Sequence, residues 1–108
     1  MIIVNTPFVD GKKTIKSFGV VRGNTVRARH IGKDIIAAFK NMVGGEIEEY
    51  TKLLAESRDQ SIDRMCLQAK QLGANAIVNC RFSTSSIMQS AAEILVYGTA
   101  VLVEDKKE

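Results

Sequence analysis

The sequence predicts one α+β domain spanning residues 1–108, with elements in the order β-β-(β)-α-α-β-β. Three observations carry this. A helical apolar stripe runs from Ile47 to Leu72 and meets Gly73. The segment from Glu93 to Glu104 is apolar on both faces of an extended chain. The N-terminal part is rich in β-branched residues punctuated by turn signals such as Asp10-Gly11. Strands gathered at the two ends with helices between them form the α+β pattern.

Composition bounds the rest. The chain has 108 residues, 45% hydrophobic and 25% charged, which suits one globular domain with a modest core. Its net charge of +3 is small and the acids are interspersed with the bases, which argues for a solvated surface and against nucleic-acid binding. No window is apolar enough to span a membrane, and MIIVNTPF lacks the pattern of a signal peptide. Two cysteines without framework spacing suit a reducing compartment, so a cytoplasmic location is expected.

The elements follow in order. Met1 to Asn5 is a short β-branched strand. Thr14 to Arg22 is a second strand, with Ile15, Ser17 and Gly19 on one face and Phe18 and Val20 on the other. Gly23-Asn24 suits a two-residue hairpin, which would make Thr25 to Arg29 a third, short strand. Ile31 to Val43 has helical spacing and ends at Gly44-Gly45.

The central helix comes next. Ile47, Tyr50, Leu54, Ser61, Ile62, Met65, Ala69 and Leu72 lie within about 60° of one direction at ~100° per residue. Glu46, Glu48 and Glu49 suit its first turn and Lys70 its last. Its length would be roughly 40 Å, against roughly 33 Å for a compact domain of this size. It must therefore bend or project. Alternation then puts Ala76, Val78, Cys80 and Phe82 on one face of a strand, with Ile77, Asn79 and Arg81 on the other. Ser83 to Ala92 reads as a polar loop, Glu93 to Glu104 as the last strand, and the charged tail from about residue 104 to 108 as frayed. One helix layer covers one sheet face, so the two-sided last strand, including Val101 and Val103, points to a homo-oligomer.

Candidate chemistry is sparse. His30 stands among Arg22, Arg27, Arg29 and Lys33, which suits an anion site at a helix start but equally a solvated basic edge. Cys66 lies at the edge of the helix stripe and Cys80 on the apolar side of its strand, with Met65 and Met88 as further soft donors. A soft metal would take such ligands, although buried cysteines ordinarily act as small apolar groups. Arg58 falls about 20° from the stripe centre, where a guanidinium needs a partner; Glu56 and Glu93 are candidates. No nucleophile elbow, phosphate loop or triad is present, so no catalytic residue is assigned.

The runs GGEIEEYTKLLAESRDQSIDRM, LGANAIVNCRFSTSSI and EILVYGTAV, preceded by GVVRGNTVRAR and KDIIAAFKNMVGGE, resemble the YbjQ-like family of small bacterial proteins. The resemblance covers nearly the whole chain. It implies helices packed on an antiparallel sheet, assembly as a ring-like homopentamer, and a link to heavy-metal binding. The strand after the long helix departs from the usual form, close to GANAVVGVRFDTS. Asn79 replaces glycine, Cys80 replaces valine and Ser83 replaces aspartate. The lost aspartate removes a hard ligand or a capping group.

The leading expectation is a cytoplasmic, non-enzymatic homo-oligomer, pentameric by resemblance, with a structural or small-ligand-binding role. Heavy-metal binding through Cys66 and Cys80 is the first alternative. An enzyme with a site between subunits is the second. Arg58, Ser83, Thr84, Glu93, Val101 and Val103 are the candidate interface or pocket residues.

Overall fold

The computed structural model describes residues 1–28, 45–88 and 91–107. The helix expected over Ile31 to Val43 lies outside them, as does His30. Strand β1 is Ile2–Ile3, β2 is Lys12–Ala28, helix α1 is Gly45–Leu72, β3 is Ala76–Met88 and β4 is Ala91–Asp105. The strands form one sheet in the order β1-β3-β4-β2. β4 pairs antiparallel with both β2 and β3, whereas β1 runs parallel to β3. The sheet is thus mixed, where an antiparallel one was expected. A strand opening the chain reaches β3 only across α1, and that crossover allows a parallel pair.

β2 is longer than expected because Gly23-Asn24 is not a turn. The strand runs straight through it. Gly23 serves the helix instead: a Cβ there would collide with the Ser61 carbonyl oxygen and lie 2.5 Å from the Met65 nitrogen. The backbone of α1 rests directly on that of β2, a contact only glycine permits. Ser83 to Ser86 likewise belong to β3 and not to a loop. Their hydroxyls line a strand whose backbone is satisfied by β4.

α1 ends as its sequence demands. Gly73 adopts φ +93°, its N–H donates to the Lys70 carbonyl at 3.0 Å, and the Ala74 N–H donates to the Ala69 carbonyl at 3.1 Å. This pair of bonds is a Schellman cap. Asn75 then adds a rung that no backbone supplies. Its amide nitrogen donates to the Val103 carbonyl at 2.9 Å and its oxygen accepts from the Val103 N–H at 2.8 Å.

The buried line on α1 is Ser57, Ser61, Met65 and Ala69, all with no exposed surface. It advances four residues at a time, so it drifts about 40° per step around a helix of ~3.6 residues per turn. A helix following a twisted sheet needs that drift. The fixed stripe therefore fails at Arg58 and at Leu72, both of which are exposed. Where leucines would be expected, a polar seam is buried. The Thr25 hydroxyl lies 3.0 Å from the Ser57 carbonyl oxygen and 2.7 Å from the Ser61 hydroxyl. The Ser61 hydroxyl also reaches the Ile94 carbonyl at 3.1 Å. Each of these polar atoms has a partner, so the seam carries no desolvation penalty for an orphaned group.

The sheet has two cores. On the helix side, Val21, Met65, Ala69, Ala74, Ile77, Val96 and Ala100 pack together, with Phe18, Ile62, Cys66 and Cys80 around them. On the other side, Val9, Ala76, Val78, Val101 and Val103 form a second cluster with Ile2 and Val4. The N-terminal segment covers this end of the outer face. Val101 and Val103, expected at a subunit interface, are thus buried within the chain itself. The tail is also tied down: Lys12 bonds Asp105 at 2.5 Å, Lys13 bonds Glu104 at 3.2 Å, and the Lys106 N–H donates to the Gly11 carbonyl at 3.3 Å.

Candidate functional site

The site begins with one backbone torsion. Asn79 has φ +53°, the left-handed region, within a register shift between Val78 and Arg81. Its N–H donates to the Thr6 carbonyl at 2.9 Å and the Cys80 N–H donates to the Val4 carbonyl at 3.0 Å. Asparagine tolerates this torsion better than other side-chain-bearing residues, and glycine better still. The bulge inserts one residue and reverses the alternation beyond it. Ala76 and Val78 belong to the outer cluster, and Arg81 stands opposite Tyr97 on that face. Cys80 joins Ile77 on the helix side. Simple alternation placed Cys80 with Ala76 and Val78, on the wrong face. A second irregularity, between Ser17 and Gly19, likewise brings Phe18 to the helix side while Val20 faces outward.

Cys66 on α1 and Cys80 on β3 are therefore brought to the same wall. Both thiols are free, half-buried and packed on one apolar cluster. Burial pushes both up from the ordinary thiol value. The Met1 ammonium and Lys70 offset this at Cys66 and Asp63 adds to it; at Cys80 the charge of Cys66 adds to it and Arg81 opposes it. Sequence reasoning found the two thiols but missed the Met1 ammonium, which the pairing of β1 with β3 brings into reach of Cys66.

The residues would suit a metal only of a particular kind. Among the described residues no three of His, Cys, Asp and Glu gather at ligand spacing. The two thiols and the Met65 thioether, which share one cluster, are soft donors of the kind a soft ion prefers. Of the other candidates, Arg58, Ser83 and Thr84 are exposed and do not converge with the thiols. Glu93 is half-buried and accepts a hydrogen bond from the Asn24 amide at 3.1 Å. The enzyme alternative leaned on Arg58 and the serine-rich segment; in a single chain Arg58 is exposed and Ser83 to Ser86 belong to β3.

The outer face beyond the second core is a further surface. Val20, Arg22, Asn24 and Val26 of β2 stand beside Thr99, Tyr97, Leu95 and Glu93 of β4. Val20 is 73% exposed, Val26 51% and Tyr97 39%. Arg81 extends the row on β3, its guanidinium donating to the Asn5 carbonyl at 2.8 Å.

The fold defines a class: a small α+β domain with one described helix on a mixed four-stranded sheet. The chain belongs to the YbjQ family, whose model, described as "Putative heavy-metal-binding", matches residues 1–104. A UPF0145 protein of Dehalococcoides mccartyi is 59% identical over 104 residues, covering 96% of this chain and all of that protein. A UPF0145 protein of Pyrococcus horikoshii is 55% identical, covering 96% of this chain and 89% of that one. Archaeal relatives extend the family beyond the bacteria expected from the resemblance. A crystal structure of a protein of unknown function from Pediococcus pentosaceus, assigned to the DUF74 family, superposes with a TM-score of 0.65 at 15% identity. It covers 96% of this chain and 98% of its own, and the likeness is one of fold. No helix among the described residues is long and apolar enough to cross a membrane.

Proposed function

We propose that this protein is a self-assembling, non-enzymatic binding module of the cytoplasm, a homopentamer as the family resemblance suggests. The observation that carries this reading is the outer sheet face around Val20, Val26 and Tyr97, which no segment of the described chain covers. The occupant proposed is a second copy. The structure measures 60 × 24 × 17 Å with a radius of gyration of 17.7 Å, well above the ~13 Å of a compact chain of about 100 residues. An elongated subunit with an exposed apolar face suits completion by its neighbour.

Light scattering tests this. The expected result is a multiple of the 11.8 kDa chain. Val20→Lys with Val26→Lys is expected to lower that multiple while retaining the circular dichroism of the folded chain. A wild-type monomer at micromolar concentration overturns the reading. Val101→Lys is a control of a different kind: it places a charge in the second core and is expected to unfold the chain at any oligomeric state.

A second reading, heavy-metal binding, has one specific observation in its favour: the bulge at Asn79 brings Cys80 to the face that Cys66 occupies. Equilibrium dialysis against cadmium, zinc and copper(I), with metal measured by elemental analysis, tests it. Absence of any retained metal overturns it.

A further inference from the structure

We propose that the outer sheet face of one copy receives the solvent crest of α1 from the next copy, with Arg22 and Arg81 meeting Asp59 and Asp63. This rests on the self-assembly reading and names the surface of the second copy that fills that face.

The sheet side comes first. Tyr97 of β4 pairs with Arg22 on one flank and Arg81 on the other, so an Arg-Tyr-Arg row crosses the outer face. All three side chains are exposed. The adjoining positions on that face are Val20, Asn24, Leu95, Thr99, Val78 and Ser83, and none is acidic. Glu93 lies four residues from Tyr97 along β4 and accepts from the Asn24 amide. The Arg81 guanidinium donates to the Asn5 and Cys80 carbonyls, which hold it in place without neutralising it. Among the described residues no ion pair engages either arginine.

The helix side comes second. Asp59, Asp63 and Leu67 each follow a buried residue of α1, Ser57, Ser61 or Met65, by two positions, about 200° round the helix. They therefore form the crest that faces away from the sheet. All three are exposed, Leu67 by 58%. Asp59 and Asp63 are four residues apart, where like charges repel. Neither has a basic residue three or four positions away in either direction. Arg58 and Arg64 adjoin them in sequence but project about 100° round the helix, and Arg64 donates to the Asn24 carbonyl.

The two surfaces lie on opposite sides of one subunit, so they cannot neutralise each other within a chain. A two-fold pairing of outer faces would set one arginine row against another, and like-charge juxtaposition suppresses such a contact. Seating the crest instead puts carboxylates on guanidiniums, a charge-assisted pairing. It also brings Leu67 to a face whose exposed apolar groups are Val20, Val26 and Tyr97. Each copy then gives one surface and takes the other. Such a heterologous contact generates a ring when its rotation closes.

The test is charge reversal in the full chain, read by light scattering after size-exclusion chromatography. Arg22→Asp with Arg81→Asp, and separately Asp59→Arg with Asp63→Arg, are each expected to reduce the assembly to single chains of 11.8 kDa with circular dichroism unchanged. The chain carrying all four reversals is expected to regain the wild-type mass. A pair of reversals that loses the circular dichroism of the fold is replaced by Arg22→Asp or Asp63→Arg alone, read in the same way. Failure of the four-fold variant to reassemble overturns the pairing. So does wild-type mass in the Asp59 and Asp63 reversal; if Val20→Lys with Val26→Lys still lowers the mass, the self-assembly reading stands without it. A wild-type monomer overturns both.

Discussion

At the scale of single residues, Asn79 decides most. Its positive φ is a torsion that β-branched side chains rarely adopt. Asn79→Gly is expected to be near neutral in urea unfolding. Asn79→Val is expected to cost about 1–3 kcal/mol, the usual price of a strained torsion. Equal stability of the two variants would refute a left-handed requirement. The sequence held a sign of this, since glycine is usual here in the family pattern, but alternation alone cannot reveal a bulge: period-two reading assumes an uninterrupted ladder. That is why Cys66 and Cys80 were legible as thiols and illegible as sharing one cluster.

The same two thiols give a pH dependence. Burial raises both above the ordinary thiol value. The folded chain thus holds these protons more tightly than the unfolded one. Stability from this source is fully present below the ordinary thiol value and is lost as pH rises through the folded values. Chemical denaturation between pH 7 and 10 should show this decline, and Cys66→Ser with Cys80→Ser should flatten it. An unchanged slope in that variant would refute the assignment.

At the scale of elements, the contact of α1 with β2 is the tightest joint. Gly23→Ala forces the helix backbone away from the strand. A cost of about 1–3 kcal/mol or more is expected, as for overpacked cores, measured as a lowered unfolding midpoint. A neutral outcome would mean that α1 can slide over β2. Much of this element was readable in advance. Gly73 marked the helix end, and the Schellman cap is what left-handed glycine provides there. The period of the stripe was readable too, but its drift was not, because twist belongs to the sheet and not to the helix sequence. Gly23-Asn24 misled for a related reason. A glycine demanded by a neighbour's backbone looks the same in sequence as one demanded by a turn.

At the scale of the whole molecule, the two-sided apolar character of β4 was correctly visible, and its cover was only partly so. Val4 and Val9 cover the end containing Val101 and Val103, a long-range contact that local pattern cannot announce. The remaining outer face, with Val20 and Val26 of β2 beside Tyr97 of β4, stays exposed.

The pairing of β2 with β4 carries a consequence in time. Lys12 and Asp105 are 93 residues apart along the chain, yet they close one end of the sheet. β3 and β4, by contrast, adjoin in sequence. Loop closure that long is slow, and high contact order slows folding. The hairpin of β3 and β4 should form first, with β2 and its seam at Thr25 arriving last. Pulse-labelled hydrogen exchange should protect the Val78 and Thr99 amides before that of Val21. Simultaneous protection would show that the sheet instead condenses as one unit. Until β2 docks, the central strand stands with one edge bare, and a nascent chain is then most exposed to pairing with the wrong neighbour.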